Sequence, residues 1–187
     1  LSFEINTPSR YGIQLWEALI KNGNQFGLTP YGTEAMHVLR AERGFIIVGQ
    51  ETDGTVSPID LGMDWIVSKK KKDFIGKRSL ERASMKQNDR KELVGLLSDD
   101  PNTVIPEGAH AIDEKDLELE EKNILGHVTS SYFSSNCKRS IAMALIKNGR
   151  ARKGNKLVIP LLNGDKIKAK IVNPVFFDPN GVRKNGI

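Results

Sequence analysis

The chain has 187 residues, 39% of them hydrophobic, which is enough to bury the core of one large domain or of two small ones. Its longest apolar runs fall well short of the roughly 20 residues that a membrane span needs, and its single cysteine, Cys137, excludes an internal disulfide framework. The net charge of +5 allows an anionic ligand, but aromatic residues do not interleave the basic runs, so we expect neither nucleic acid nor a membrane as a partner and predict a cytoplasmic location.

The chain opens with a predicted strand and a predicted helix. Residues Ser2–Ile5 alternate between polar and apolar side chains, which is typical of a strand. Tyr11–Lys21 carries apolar side chains at helical spacing, and Gly23 ends the helix. Because the chain begins at Leu1, without methionine and directly in a strand, we expect it to be a fragment cut close to or inside a sheet.

A second helix and a second strand follow. Thr29 is predicted as the N-cap, with Pro30 at the first helical position, and the helix runs to about Arg43. Gly44 supplies the left-handed residue that ends it. The apolar run Phe45–Val48 predicts a buried strand. The order strand, helix, helix, strand indicates part of an α+β layer.

The next stretch contains a loop, a strand and a basic run. Met63–Val67 predicts a short strand that contains Trp65, and a short helix follows over Arg78–Lys86. Between them lies Lys69–Lys72, which is either a solvated loop or a contact for an anion. The polar residues before Glu92 predict a domain boundary, with one domain over 1–91 and another over 92–187.

Six short strands are predicted after the boundary, separated by turn residues and without a convincing helix: Leu93–Leu97, Ala109–Ile112, Ile124–Ser130, Ser140–Ile146, Lys156–Leu161 and Lys166–Val172. Short strands at close spacing are typical of a small barrel or sandwich. The predicted fold class is therefore α+β: a partial strand-helix-helix-strand domain followed by a small all-β domain.

Glu42 occupies an unusual position on the second predicted helix. At about 100° per residue, it falls on one stripe with Ala35, Val38 and Leu39, in the last helical turn. Both the helix dipole and burial disfavour a carboxylate there. Two interpretations stay open at this point: Glu42 turns outward or pairs with a nearby cation, or it accepts two parallel N–H donors from a ligand.

Other chemistry finds little support in the sequence. The three histidines are widely spaced and lack partners at ligand spacing, so no metal site is predicted. Neither a dinucleotide-binding glycine pattern nor a Walker pattern opens a helix, so we expect no nucleotide site in this chain.

Five motifs, in one order, resemble the glycine-cleavage T-protein family: LRAERG (Leu39–Gly44), SPIDLGMDW (Ser57–Trp65), DFIGK (Asp73–Lys77), GHVTSSYFS (Gly126–Ser134) and RSIAMALIKNG (Arg139–Gly149). The resemblance covers essentially the whole chain. It implies a folate-binding α+β region over 1–91 and the family's C-terminal barrel-like domain over 92–187.

The resemblance implies a tetrahydrofolate site in which Glu42 binds the amino-pyrimidine edge of the pterin. Trp65 and Lys71 are the other folate-binding candidates, although Trp65 also suits the core. Some family members carry Arg at the position of Lys71, and Lys cannot make the same planar, bidentate contact. The family's catalytic aspartate lies N-terminal to every motif matched here, so no catalytic residue is predicted in this chain.

Within the family, the sequence most strongly resembles the alpha subunits of heterotetrameric sarcosine oxidases, through stretches such as NPVFFDPNGVRKNG. This narrower resemblance implies a segment that helps capture the imine from sarcosine oxidation as methylene-tetrahydrofolate, with glycine as the product. It implies flavin and NAD in other parts of the complex, the other sarcosine oxidase subunits as partners, and an isolated segment without activity. The alternatives are an aminomethyltransferase of glycine cleavage, a non-catalytic folate-fold module and, more weakly, a basic nucleic-acid-binding domain.

Overall fold

The structure is a computed structural model that describes residues 3–185. The chain divides into two compact units, Leu1–Met36 and His37–Ile187. The division falls inside the second helix. The predicted boundary between residues 91 and 92 stays a prediction.

The first unit contains helix α1, Gly12–Gly23, between two short 3-10 turns. Its apolar side chains recur at helical spacing, and the predicted helix is confirmed. The predicted strand Ser2–Ile5 is wrong for residues 3–5, which form no regular structure, and Ser2 lies outside the described residues. Alternation over four residues is a weak signal when no neighbouring strand pairs with the segment.

Helix α2 spans Thr33–Glu42. Its predicted start is wrong, because the Thr29 hydroxyl donates to the carbonyl of Gly27 at 3.3 Å instead of capping a helix. Its predicted end is confirmed: Gly44 has a φ of 68°, and its N–H donates to the Ala41 carbonyl at 2.9 Å. A Cβ atom at Gly44 would lie 2.7 Å from the Pro174 carbonyl oxygen, so glycine also permits a close backbone approach here.

Neither predicted strand between α2 and the barrel forms. Val48 makes one isolated bridge to Thr52 and is 84% exposed. Met63–Val67 contains a 3-10 turn, Asp64–Ile66, and Trp65 is 75% exposed. An apolar run becomes a strand only where a neighbouring strand pairs with it, and both runs lack such a neighbour in the described part of the chain. The predicted helix Arg78–Lys86 is shorter and divided into α3, Lys77–Leu80, and a 3-10 turn, Ala83–Met85.

The remaining residues form a closed antiparallel barrel in the order β1-β4-β3-β2-β5-β6. Its strands are β1 Lys91–Ser98, β2 His110–Asp113, β3 Ile124–Ser134, β4 Arg139–Lys147, β5 Lys156–Pro160 and β6 Lys166–Val172. All six predicted strands are confirmed, and the all-β part is a barrel. Helices followed by this barrel confirm the predicted α+β fold class, although the two strands expected beside the helices are absent from residues 3–185.

Two apolar clusters fix the position of the end of α2. The barrel interior is filled by alternate residues of the strands, as in β6, where Ile167, Ala169 and Ile171 point inward. A second cluster lies on the outer face of the barrel, where Ala41 packs with Leu93, Ile141, Met143 and Leu145. Burying one such large side chain contributes about 1.5–3 kcal/mol. The outer cluster therefore holds the last turn of α2 against β1 and β4.

Candidate functional site

Three polar side chains lie along one face of β3 and contact the last turn of α2. Ser130, Tyr132 and Ser134 alternate with Ser131 and Phe133, so their side chains share a face of the strand. We call Ser130, Tyr132 and Ser134 the β3 ladder. Every one of its three hydroxyl groups hydrogen-bonds to α2 or to a residue paired with α2.

Glu42 lies at the Ser134 end of the β3 ladder and is 2% exposed. Its Oε1 accepts a hydrogen bond from the Ser134 hydroxyl at 2.6 Å, and its Oε2 accepts one from the Asn136 amide at 2.8 Å. The Ser134 hydroxyl itself accepts from the Cys137 N–H at 2.9 Å, so its hydrogen is directed to Glu42. The side chain is buried in place instead of turning outward, which agrees with its predicted position in the apolar stripe.

The chemistry around Glu42 is unusual for a buried carboxylate. Within residues 3–185 it forms no ion pair with a lysine, arginine or histidine. Its two donors are neutral, and each carboxylate oxygen can accept two hydrogen bonds. The two donors therefore use half of the capacity of this carboxylate to accept hydrogen bonds.

A second buried carboxylate, Glu51, lies at the Ser130 end of the β3 ladder. The sequence alone did not predict it. It is 0% exposed and accepts hydrogen bonds from the Ile47 N–H at 2.7 Å, from Arg40 Nη1 at 2.9 Å and from the Ser130 hydroxyl. The Arg40 side chain, two residues before Glu42, also contacts the barrel and is nearly buried. No local pattern in the turn-rich loop that holds Glu51 signals this contact.

The structure does not bring the three predicted folate-binding residues together. Trp65 lines a cleft of about 670 Å³ with Phe45, Met63 and Pro174. Lys71 lines a different cleft of about 550 Å³ and is exposed. Glu42 is buried against β3. The assignments of Glu42, Trp65 and Lys71 to folate therefore stay predictions.

Two kinds of feature are absent from residues 3–185. No group of three or more His, Cys, Asp or Glu side chains is placed to hold a metal ion. In the same range, every helix is too short or too polar to cross a membrane.

Comparison with known proteins adds two family matches, one for each part of the chain. Residues 1–71 match the GCVT N-terminal domain, and residues 91–178 match the glycine cleavage T-protein C-terminal barrel domain. The sarcosine oxidase subunit alpha of Corynebacterium sp. (strain P-1) is 49% identical over 187 residues, which are 100% of this chain and 19% of that protein. The corresponding subunit of Rhizobium meliloti is 39% identical over 98% of this chain and 18% of its own length.

Aminomethyltransferases are also similar. That of Thermoanaerobacter pseudethanolicus is 32% identical over 95% of this chain and 46% of its own length. The crystal structure of the glycine cleavage system aminomethyltransferase T from Bartonella henselae superposes with a TM-score of 0.77 at 24% identity, over 92% of this chain and 45% of that one, which shows the fold. The chain thus spans about a fifth of the sarcosine oxidase subunits and about half of the aminomethyltransferases that it matches. With the N-terminal and barrel domain matches in this order, the chain belongs to the glycine cleavage T-protein family.

Proposed function

We propose that this chain binds tetrahydrofolate as part of a sarcosine oxidase alpha-like protein, with Glu42 as the group that accepts hydrogen bonds from the pterin. The observation that carries the proposal is the state of the Glu42 carboxylate, which is buried with two neutral donors and without a cation in the described chain. A buried carboxylate needs compensation, and two neutral hydrogen bonds supply only part of it. A ligand that donates two further hydrogen bonds would complete its partners.

Comparison with Glu51 supports the choice of Glu42 as the candidate ligand-binding carboxylate. Glu51 accepts three hydrogen bonds, one of them from the Arg40 guanidinium, so the protein itself compensates its charge. Glu42 accepts two, from Ser134 and Asn136. Asn136 lies in the turn between β3 and β4, outside both strands, where a side chain can shift to admit a ligand.

The amino-pyrimidine edge of a pterin suits the acceptor positions that Glu42 retains. It presents a ring N–H and an amino N–H side by side, and a carboxylate accepts such a pair as it accepts the two parallel donors of arginine. Glu42 would orient the ring, and its apolar surroundings would exclude water from the contact. Lys71 and Trp65 are proposed as more distant contacts of the same ligand.

The wider proposal concerns the whole protein. Flavin in another part of the complex, which would also hold NAD, would accept the two electrons when the N-methyl group of sarcosine is oxidised to an imine. The folate held here would then take up the imine carbon, giving methylene-tetrahydrofolate and releasing glycine. The similarity to sarcosine oxidase alpha subunits supports this reaction scheme. Because those relatives are named as subunits, it also supports the other sarcosine oxidase subunits as partners. In this scheme the chain positions the folate, while the proton-transfer group lies outside it.

The test is Glu42→Gln in the full-length protein, with tetrahydrofolate binding measured by calorimetry. Two charge-assisted hydrogen bonds would become weaker, each worth about 1.5–3 kcal/mol, so we expect the dissociation constant to rise at least about tenfold. Sarcosine oxidation without folate should persist, because Glu42 takes no part in that step. Glu34→Gln is the matched control, since Glu34 is an exposed carboxylate in the first turn of the same helix. Equal folate affinity in Glu42→Gln and in the unchanged protein would reject the proposal.

A second candidate is an aminomethyltransferase, favoured by relatives that are 32% identical over 95% of this chain. It predicts the same folate contact but a different donor, an aminomethyl group on a lipoyl carrier. Turnover of that carrier without sarcosine oxidation would favour this candidate, and sarcosine-dependent methylene-tetrahydrofolate formation would favour the first.

A further inference from the structure

The last turn of α2 is held at two levels of β3 by two of its side chains. Glu42 binds Ser134 at one end of the β3 ladder, and Arg40 binds Ser130 through Nη2 at 2.6 Å at the other. Ser130 and Ser134 are four residues apart, which is about 13 Å along a strand.

Arg40 also binds the connection between α2 and the barrel. Its Nη1 donates to Glu51 Oε2 at 2.9 Å and to the Phe45 carbonyl at 3.1 Å, and its Nη2 donates to the Gln50 side chain at 3.2 Å. Gln50 in turn donates to the Thr129 carbonyl at 3.1 Å. One guanidinium group therefore joins the helix end, the turn that follows it and β3.

The Arg40–Glu51 pair is buried beside the helix end that carries Glu42. The Arg40 side chain is 9% exposed and that of Glu51 is 0% exposed. The Glu42 backbone carbonyl accepts the N–H groups of Phe176 and Phe177 at 2.9 and 3.0 Å, so the main chain beneath the Glu42 side chain is also held. Without Arg40, the helix end would keep its contacts on the Ser134 side and lose those on the Ser130 side.

We infer that Arg40 and Glu51 are positioning residues that fix the orientation of the Glu42 carboxylate toward its ligand. This inference rests on the proposed folate site. The hydrogen bonds of Arg40 Nη1 and Nη2 and of the Glu51 carboxylate all go to protein groups, while Arg40 Nε is buried without a partner, and both residues act on the ligand through the placement of the helix end. Arginine suits the task because its rigid fork spans Glu51 and Ser130 at once, whereas a lysine would reach one of them.

The experiment is a double-mutant cycle between the pair and Glu42 in the full-length protein. Removing one charge alone leaves the other buried and unpaired and endangers folding, so the main variant is Arg40→Met with Glu51→Gln. Gln keeps a carbonyl acceptor for the Ile47 N–H, and Met replaces the apolar stem of Arg40. Hydrogen exchange of the barrel strands verifies that the variant folds, and exchange at Phe176 and Phe177 should become faster as the helix end loosens.

The pair variant should bind tetrahydrofolate about tenfold to a hundredfold more weakly, because a displaced carboxylate weakens charge-assisted hydrogen bonds that are each worth about tenfold or more in affinity. In a Glu42→Gln background the same two substitutions should cost less than twofold, because there is no longer a carboxylate to orient. The inference would be overturned if the affinity losses of the pair variant and of Glu42→Gln multiplied in full in the combined variant, or if the pair variant bound tetrahydrofolate with unchanged affinity. Either result would leave the folate site standing. An unchanged affinity in Glu42→Gln alone would reject the folate site and this inference with it.

Discussion

At the scale of single residues, His127 shows how the barrel surface tunes a titrating group. His127 on β3 lies opposite His110 on β2 in the strand register. Burial lowers the pKa of His127, the positive charges of Lys91 and His110 lower it further, and the nearby Asp53 carboxylate opposes the shift in part. The imidazolium form is therefore disfavoured in the folded protein.

We expect His127 to titrate below the ordinary histidine value of about 6.5, as followed by NMR of its imidazole protons. Because the folded-state pKa of His127 is lowered, this group contributes fully to the free energy of unfolding above its unfolded-state pKa. The contribution is lost as pH falls through the unfolded-state pKa toward the folded-state pKa. Lys91→Met should move the midpoint upward, since it removes one of the repelling charges. A midpoint at or above the ordinary value would show that burial and these charges do not govern the group.

At the scale of secondary-structure elements, the contact between β3 and β4 depends on a glycine. Gly126 pairs with Ile146 across the two strands, and a Cβ atom built on it would lie 1.8 Å from the Leu145 carbonyl oxygen. The backbone of β4 thus occupies the space that any side chain at position 126 would need, and a ladder carbonyl cannot move aside as the tip of a flexible side chain can.

Gly126→Ala should therefore destabilise the barrel by about 3 kcal/mol through overpacking. Hydrogen exchange of β3 and β4 amides measures the loss where it arises. Gly54→Ala is the matched control, because a Cβ atom there meets no atom within 4 Å. Equal exchange rates in the two variants would show that the strands can separate without cost.

The same scale shows what the sequence determines. The six barrel strands were predicted because each contains an apolar run or alternation that neighbouring strands bury. Phe45–Val48 looks like such a strand but forms none, since its outcome depends on a partner that local pattern does not reveal. The position of Glu42 follows from helical periodicity, whereas the Arg40–Ser130 contact joins residues 90 positions apart and has no local signal.

At the scale of the whole molecule, Asp60 and Arg90 join the irregular segment after α2 to the barrel. Arg90 Nε donates to Asp60 Oδ1 at 2.8 Å and Arg90 Nη2 donates to Asp60 Oδ2, which gives a bidentate ion pair. The N–H and the hydroxyl of Ser57 also donate to Asp60 Oδ2, at 2.7 and 2.8 Å. The Asp60 carbonyl accepts the N–H of Leu93, the third residue of β1, at 2.9 Å. Burial raises the pKa of the Asp60 carboxyl, but the hydrogen bonds from Arg90 and Ser57 outweigh it and hold that pKa below its ordinary value.

We expect Asp60→Asn to lower the free energy of unfolding by about 2–3 kcal/mol at neutral pH, because charge-assisted hydrogen bonds are lost and Arg90 is left without its partner. A group whose folded-state pKa is lowered stabilises the protein above its unfolded-state pKa, about 3.9 for aspartate, and this stabilisation is lost as pH falls through the folded-state value. The difference in the free energy of unfolding between Asp60→Asn and the unchanged protein should therefore shrink as pH is lowered below about 4.

Hydrogen exchange of β1 amides across this pH range measures that difference. Asp89→Asn, at an exposed neighbouring position, is the control, and its free energy of unfolding should stay within about 0.5 kcal/mol of the unchanged protein. A difference that does not change with pH would mean that Asp60 acts through its shape and neutral hydrogen bonds, and that its charge does not hold the segment to the barrel.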